Sequence, residues 1–235
     1  MTAQTILEEL ATYSSPSIKK VFAKHGAKEP FYGVKVEDLK KIQKSVKKDY
    51  TLALDLYDTG NSDAMYLAGL IADEKKMTKA DLQHWVEGAY WYYLSEFAVP
   101  WVAAESSWGW ELGQEWITSE VETIASAGWA TLSNFAAITA DSELEIAAFS
   151  LLLDKIKKEI THAPNRVRYC MNAFIIAIGS FIPALTSKAK ETALTIGTVK
   201  VDMGGTACKV PDAITYIEKV EKAGKVGKKK KMARC

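Results

Sequence analysis

The chain has 235 residues, of which 48% are hydrophobic and 25% are charged, so it can fold as one large domain or two small ones with a substantial core. No apolar run reaches the roughly 18 residues of a membrane span, and the N-terminal segment has acids in place of the basic region of a signal peptide. Three widely spaced cysteines argue against a disulfide framework and a structural zinc site. We therefore expect a cytoplasmic protein with no metal and no cofactor.

The net charge of +1 conceals an uneven distribution of charge along the chain. Residues 1–50 carry ten lysines and six acids, a net charge of +4, and residues 218–235 carry eight basic and two acidic side chains, a net charge of +6. The remaining 12 basic and 21 acidic side chains give residues 51–217 a net charge of −9. Basic ends of this kind can hold phosphate, although only Arg166, Arg168 and Arg234 are arginines.

Apolar residues recur every three or four positions in the first third of the chain, which is the spacing of amphipathic helices. Helices are predicted over residues 2–13 and 17–24, and a third begins after Gly33-Val34. The polar face of this third helix is rich in lysine, with Lys40, Lys41, Lys44, Lys47 and Lys48. Such a face is either simply solvated or a surface for nucleic acid.

The rest of the chain also predicts helix after helix. Val99-Pro100-Trp101 indicates a kink or a new helix start, because proline suits a first turn, and Gly128 is predicted to end a helix. Further helices are predicted at 52–59, 62–74, 78–93, 110–127, 129–140, 142–161, 166–181 and 186–196, with one short extended piece at 198–204.

Paired helices of about 10–18 residues joined by short polar turns are typical of a helical solenoid. We predict an all-α solenoid over residues 1–217 and a flexible basic tail over residues 218–235. A compact, irregular all-α domain would give much the same pattern. No nucleotide-binding loop, metalloprotease or esterase motif is present, and the three histidines are isolated in the sequence.

The most unusual stretch runs from residue 89 to 116 and holds five of the seven tryptophans. A single carboxylate, Glu96, lies between the cluster Trp91-Tyr92-Tyr93 and the apolar run that includes Trp101. An acid among aromatic rings can serve as an electrostatic anchor, a general base or a trap for a cation. The alternative is an interior helix whose rings form the core and whose acid bonds a neighbouring helix.

Four segments together resemble the AlkD-type DNA alkylation repair family, which is built from HEAT-like helical repeats. They are FYGVKVEDLKKI, YDTGNSDAMYLAGLIAD, YWYYLSEFAVPWVAAES and NRVRYCMNAFIIAIGSF, and the C-terminal tail looks like that of one branch of the family. The resemblance covers nearly the whole chain. It implies a C-shaped, HEAT-like α-solenoid in a single domain, with a concave face for duplex DNA.

The resemblance also implies a chemistry. Catalytic members of the family excise cationic alkylated purines with an acid that stabilises positive charge on the sugar. In this register the family's aspartate falls on Glu96, and the aromatic residue one turn earlier falls on Tyr92, with Trp91 beside it. The family's arginine falls near Ile146, and its second tryptophan near Ala173 or Phe174, so these two positions depart from the pattern.

The resulting functional prediction is a DNA alkylation repair protein with DNA N-glycosylase activity, acting as a monomer on double-stranded DNA. Glu96 is the predicted catalytic residue, and the predicted DNA-binding residues are Trp91, Tyr92, Trp101, Arg166, Arg168, Lys40 and Lys44. The alternatives are a non-catalytic module that binds DNA or protein, and a scaffold whose aromatic residues form the core.

Overall fold

The computed structural model describes residues 1–205 and 208–234. Within these ranges the regular structure is helical and contains no strand, so the all-α prediction is confirmed, and residues 198–204 form an irregular segment. The helices are α1 (Ala3–Thr12), α2 (Pro16–Lys24), α3 (Val36–Val46), α4 (Tyr50–Asp58), α5 (Ser62–Ile71), α6 (Lys79–Gly88), α7 (Val99–Glu105), α8 (Gly109–Trp116), α9 (Glu122–Ile138), α10 (Ile146–Glu159), α11 (Asn165–Phe181), α12 (Thr186–Ile196) and α13 (Ala213–Lys222), with a π turn at Leu94–Ala98 and 3-10 turns at Asp141–Glu143 and Pro183–Leu185.

Polar side chains placed just before the helices explain where several of them begin. The Thr78 side chain, at the start of the helix predicted over 78–93, accepts from the backbone N–H of Asp81, and the Asp81 carboxylate accepts from the Thr78 backbone N–H. Ser15 caps α2 with Pro16 in its first turn, so this helix begins one residue before the predicted start at residue 17. The side chains of Thr2, Asp49, Asn61 and Asp212 cap α1, α4, α5 and α13.

Four helices form a central row that carries the core. Helix α5 packs against the π turn and α7, these pack against α9, and α9 packs against α11. Helices α4, α8 and α12 pack on the outside of α5, α9 and α11, respectively. The helices therefore lie in two layers, and the largest fully buried side chains, such as Trp85, Trp129 and Phe174, fill the space between them.

The FYGV segment (residues 31–34) fixes α3 beside the start of α5. Both carboxylate oxygens of Asp63 accept backbone N–H bonds, from Tyr32 and Gly33 at 2.6 and 3.0 Å and from Val34 at 3.0 Å. Gly33 has a φ of 73°, and a Cβ there would lie 2.6 Å from the backbone N of Lys19. Only glycine fits this turn, which explains why the chain has glycine between two apolar residues.

The predicted helix end at Gly128 is wrong. Helix α8 already ends at Trp116, and Gly128 lies inside the continuous helix α9. A Cβ at Gly128 would lie 2.6 Å from the backbone N of Ile117, so the glycine allows the chain after α8 to pass closely over α9. Glycine stands at position 128 because two backbones approach closely there, and not because a helix ends there.

We expect Gly128→Ala to destabilise the protein, although alanine is the better helix former by about 1 kcal/mol. The added methyl must push the backbone at Ile117 away, which costs roughly 1–3 kcal/mol in a packed interior. Urea unfolding followed by circular dichroism measures the difference. A variant as stable as the wild type, or more stable, would show that α8 and α9 are not packed this closely.

The C-terminal residues 225–234, called the C-terminal strap here, cross the carboxyl ends of the central row. Backbone N–H groups of Gly227 and Lys230 donate to the carbonyls of Ser180 in α11 and Ala137 in α9 at 2.9 and 2.8 Å. Farther along, the N–H of Ala233 donates to the Glu105 carboxylate at the end of α7, and the Arg234 guanidinium donates to the Leu70 carbonyl in α5. One segment thus touches the same end of four helices, which therefore run in the same direction.

This arrangement differs from the predicted boundary at residue 217 and the free basic tail beyond it. Helix α13 runs across residue 217 to Lys222, and Arg234 is buried. The carboxyl end of a helix carries a partial negative charge and carbonyls without partners, which attract basic side chains and N–H donors. The Lys229 ammonium, for example, donates to the Ala136 carbonyl at 2.8 Å.

Among the described residues, no single helix has both the length and the apolar composition to cross a membrane. Helix α11 and the segment Pro183–Ile196 meet these criteria only together, and they are bent by 118° relative to each other. Most of the apolar side chains of α11 are buried in the protein core.

Candidate functional site

Glu96 lies on the π turn, and the next residues explain the widened turn. Pro100 has no N–H, so the Glu96 carbonyl cannot accept the usual bond from the residue four positions ahead. The Val99 N–H instead bonds to the Leu94 carbonyl, five positions back, and the expected new start at Val99-Pro100 is confirmed as the start of α7. A Cβ at Gly69 of α5 would lie 2.9 Å from the Ala98 Cβ, so α5 presses directly against this turn. Such turns recur at functional sites.

The Glu96 carboxylate is fully engaged by Arg166, which lies in the first turn of α11. The guanidinium Nε donates to Oε1 at 2.6 Å and an Nη donates to Oε2 at 2.5 Å. Arg166 is oriented from its backbone as well, because its N–H donates to the Glu122 carboxylate at the start of α9 at 2.6 Å. The Glu96 side chain is only 3% exposed and that of Arg166 is 22% exposed. The pair therefore joins the π turn, α9 and α11.

Two tyrosine rings enclose the guanidinium. The Arg166 Cζ lies 4.9 Å from the ring centroid of Tyr92 and 4.5 Å from that of Tyr169, so the cation lies between two π faces. The Met203 sulfur also lies 3.7 Å from an Arg166 Nη. His25 contacts the edge of Tyr92 with ring centroids 5.3 Å apart.

Burial is the largest influence on the pKa values of Glu96 and Tyr92. It raises the pKa of the Glu96 carboxyl, while the bonds to Arg166 act in the opposite direction and the nearby Glu122 adds to the rise. Burial also raises the pKa of the Tyr92 phenol, to about 12. The bidentate geometry favours the ion pair over a neutral pair, because the fork of the guanidinium matches the carboxylate. In this state both Glu96 oxygens accept hydrogen bonds from Arg166, and the carboxylate is almost fully buried.

A shallow pocket of about 320 Å³ opens above this group. Its described lining includes Tyr92 and Arg166, the segment from Asp202 to Gly204, and Lys24 and His25. The segment around Asp202 is held by reciprocal bonds with Asn165, of 2.9 Å to the Asp202 carbonyl and 2.7 Å from its N–H. A small group or a nucleotide edge can enter this pocket, but Glu96 lies beneath Arg166.

The structure brings together only part of the predicted site. Glu96, Tyr92 and Arg166 form one group, whereas Trp91 and Trp101 are each 3% exposed and belong to the core. The Trp91 indole N–H donates to Ser62 at 2.9 Å, and Trp101 packs edge-on against Tyr66. Neither ring presents a face that DNA can reach, so for these two residues the interior interpretation of the aromatic stretch fits the structure.

The remaining predicted residues lie elsewhere. Arg168 points away from Arg166 into a separate pocket with Thr161 and Lys200. Lys40 is half-buried and Lys44 exposed on α3, far along the chain from the Glu96 group. Sequence reasoning missed Glu122 and Tyr169 as members of the group. Tyr169 follows Arg166 by three positions, a helical spacing that could have indicated the contact; Glu122 had no such signal.

Among the described residues, no three histidine, cysteine, aspartate or glutamate side chains come together as a metal site requires.

Comparison with known proteins gives a consistent assignment. The family model for "DNA alkylation repair enzyme" matches residues 6–217. The uncharacterized proteins Lin0241 of Listeria innocua and Lmo0209 of Listeria monocytogenes are each 34% identical over 217 residues, which cover 90% of this chain and 93% of the relative. A solved structure with a TM-score of 0.91 and 34% identity covers 100% of both chains. It is described as a new family of proteins related to the HEAT-like repeat DNA glycosylases with affinity for branched DNA structures.

Proposed function

Because the chain belongs to the DNA alkylation repair enzyme family and has its HEAT-like fold, we propose that it is a DNA-binding repair protein that recognises branched DNA without excising a base. One observation carries the non-catalytic part of this proposal. Both oxygens of Glu96 are bonded to Arg166, and the carboxylate lies beneath the guanidinium. An acid held this way cannot approach a deoxyribose while the pair is intact.

The choice of branched DNA is supported by the relative whose description names affinity for such structures, since it matches this chain over its full length. In this proposal the first DNA contact is the edge of the molecule around Tyr92 and Arg166. Lys24, which lines the pocket, is exposed and can reach a phosphate. The half-exposed ring of Tyr92 can stack on a base that is unpaired at a branch point.

We expect the protein to bind a four-way DNA junction at least about tenfold more tightly than a linear duplex of the same length and base composition. Binding should weaken steeply with salt, because it depends on phosphate contacts and counterion release. Fluorescence anisotropy over a series of salt concentrations measures both quantities. Equal affinity for junction and duplex would remove the branched-DNA part of the proposal, and no binding of either at low salt would remove the whole proposal.

Excision of cationic alkylated bases is the second candidate, and the pocket beside Tyr92 favours it. For this reaction Arg166 must release Glu96 when DNA binds, so that the carboxylate can stabilise positive charge on the sugar. The same preparation is tested for release of methylated purines from alkylated DNA. Release by the wild type that is abolished in Glu96→Gln would establish the second candidate, whereas our proposal expects no release by either protein.

A further inference from the structure

The two basic segments of the sequence, separated by about 180 residues, meet at one edge of the structure. Lys44, Lys47 and Lys48 at the end of α3 line a pocket of about 380 Å³ together with Met232 and Arg234 of the C-terminal strap. Lys231 lines the adjacent pocket. We call the exposed lysines of this edge the lysine ridge: Lys44 from α3, Lys47 directly after it, and Lys228, Lys230 and Lys231 from the strap.

Most acids in this region are paired with other basic residues, whereas the exposed Glu143, which lines a pocket with Lys231, has no ion pair in the described ranges. Arg234 holds Glu74 and Glu105 at 2.6 and 2.9 Å, and Lys48 also bonds Glu74. Asp141 is paired with Lys229 at 2.9 Å. Across the described ranges, none of the five ridge lysines has a carboxylate within 4.0 Å. The ridge therefore presents positive charge to solvent even though the middle of the chain is acidic.

The geometry of the ridge suits an extended polyanion. The strap from Gly227 to Arg234 is bonded to the ends of α11, α9, α7 and α5 and spans at most about 25 Å. One strand of DNA carries a phosphate about every 3.4 Å along the helix axis, so the ridge can follow at most about seven base pairs. Because the backbone under these lysines is fixed, less ordering is needed when phosphate binds.

The ridge is also separate from the Glu96 group. Arg166 lies at the beginning of α11 and Ser180, which bonds the strap, lies near its end. Fourteen residues of α-helix correspond to about 21 Å. The lysine ridge and the edge around Tyr92 thus lie at opposite ends of the same helices.

We propose that the lysine ridge is a second DNA-backbone site, which holds a different arm of a branched DNA from the arm at the Tyr92–Arg166 edge. The inference rests on the proposed function and adds how one chain can distinguish a junction from a duplex. A linear duplex occupies one edge at a time, whereas the arms of a junction can reach both. Lysines suit this role because they contact phosphate as point charges without reading sequence.

The test uses the full chain and two triple variants with the same change in charge. The ridge variant is Lys44→Gln/Lys47→Gln/Lys231→Gln, and the control is Lys20→Gln/Lys158→Gln/Lys219→Gln, which removes three exposed lysines from α2, α10 and α13. None of these six lysines takes part in an ion pair within the described ranges. Thermal melts of both variants should therefore match the wild type, which verifies that they are folded.

We expect the ridge variant to bind a four-way junction roughly 10- to 100-fold more weakly than the wild type at about 0.1 M salt, with its salt slope reduced by about 2–3. Its affinity for linear duplex should change by less than about threefold, and the control variant should behave as the wild type does. The proposal is overturned if the ridge variant keeps wild-type junction binding, if it loses junction and duplex binding equally, or if the control loses as much.

Two other results also decide the matter. If the wild type binds the junction no better than the duplex, the proposed function fails first and this inference with it. Unchanged junction binding combined with lost binding to vesicles containing one-third anionic lipid would assign the ridge to a membrane surface and overturn the proposal.

Discussion

Replacing Arg166 with methionine is expected to lower the free energy of unfolding by about 3–5 kcal/mol, because it leaves the Glu96 carboxylate buried without a partner. The change also removes the cation between the rings of Tyr92 and Tyr169. Urea unfolding at neutral pH measures the loss. Arg168→Met is the matched control: it lies on the same helix and makes no ion pair in the described structure, so it should cost much less.

The double variant Arg166→Met/Glu96→Met separates the interaction from the loss of a side chain. Buried ion pairs replaced on both sides by apolar residues are often no less stable than the original, so the double variant should be more stable than Arg166→Met alone. The interaction energy follows from the complete cycle of single and double variants. If the two single changes simply add, Glu96 and Arg166 are not coupled in solution.

The Arg166→Met variant should also acquire a distinctive pH dependence. Burial raises the pKa of Glu96, and the arginine that opposes this rise is gone. A carboxyl whose pKa is higher in the folded than in the unfolded state costs no stability below the unfolded pKa, because it is then neutral in both states. As pH rises through the folded pKa, the buried group must ionise, and the free energy of unfolding falls. The loss of unfolding free energy caused by Arg166→Met should therefore be smaller at about pH 5 than at about pH 8.

The Glu96 group shows what a sequence can predict about a site and what it cannot. Glu96 and Tyr92 were identified because they are four residues apart beside a proline, a local pattern with a local structural consequence. Arg166 lies 70 residues away, and its position over Glu96 depends on how α9 and α11 pack. A buried, ionised Glu96 needs a cationic partner such as Arg166, Arg168 or a lysine, but nothing in the sequence singles out Arg166 among them.

The interpretation of the tryptophans failed for a related reason. Trp91 and Trp101 flank Glu96 in sequence, but residues on one helix face different directions, and these two rings face the core. Residue type does not distinguish a buried ring from a DNA-facing ring when both faces of the segment are apolar. The all-α fold was accessible because the spacing of apolar residues is itself the cause of helix packing.

The C-terminal strap was misjudged because its partners are not side chains that composition reveals. A run of lysines with no apolar face is normally solvated, yet here backbone carbonyls at the ends of α9 and α11 accept its N–H groups. These carbonyls are present in any helical protein. Only their alignment along one edge, produced by the stacking of parallel helices, creates a surface that a basic segment can follow.

Replacing Arg234 with alanine is the second change with a large expected effect, a loss of about 3–5 kcal/mol in the free energy of unfolding. Its guanidinium, 5% exposed, bonds Glu74 and Glu105 and also the carbonyls of Leu70 and Ala72. Without it, Glu105 loses its only described cation and Glu74 keeps only Lys48. Chemical denaturation measures the loss.

Two comparisons make the Arg234 result specific to the buried contact rather than to the charge of the strap. Lys231→Ala removes an exposed cation from the same segment and should change stability by less than about 0.5 kcal/mol. Arg234→Lys keeps the charge but cannot bond two carboxylates and two carbonyls through a planar fork, so its stability should lie between those of the wild type and Arg234→Ala.

In hydrogen exchange, the amides of Lys230 and Ala233 should be protected in the wild type and exposed in Arg234→Ala, since both are bonded to the helix ends. Fast exchange of these amides in the wild type, with no loss of stability in Arg234→Ala, would show that residues 225–234 are a solvated tail, as their composition predicts.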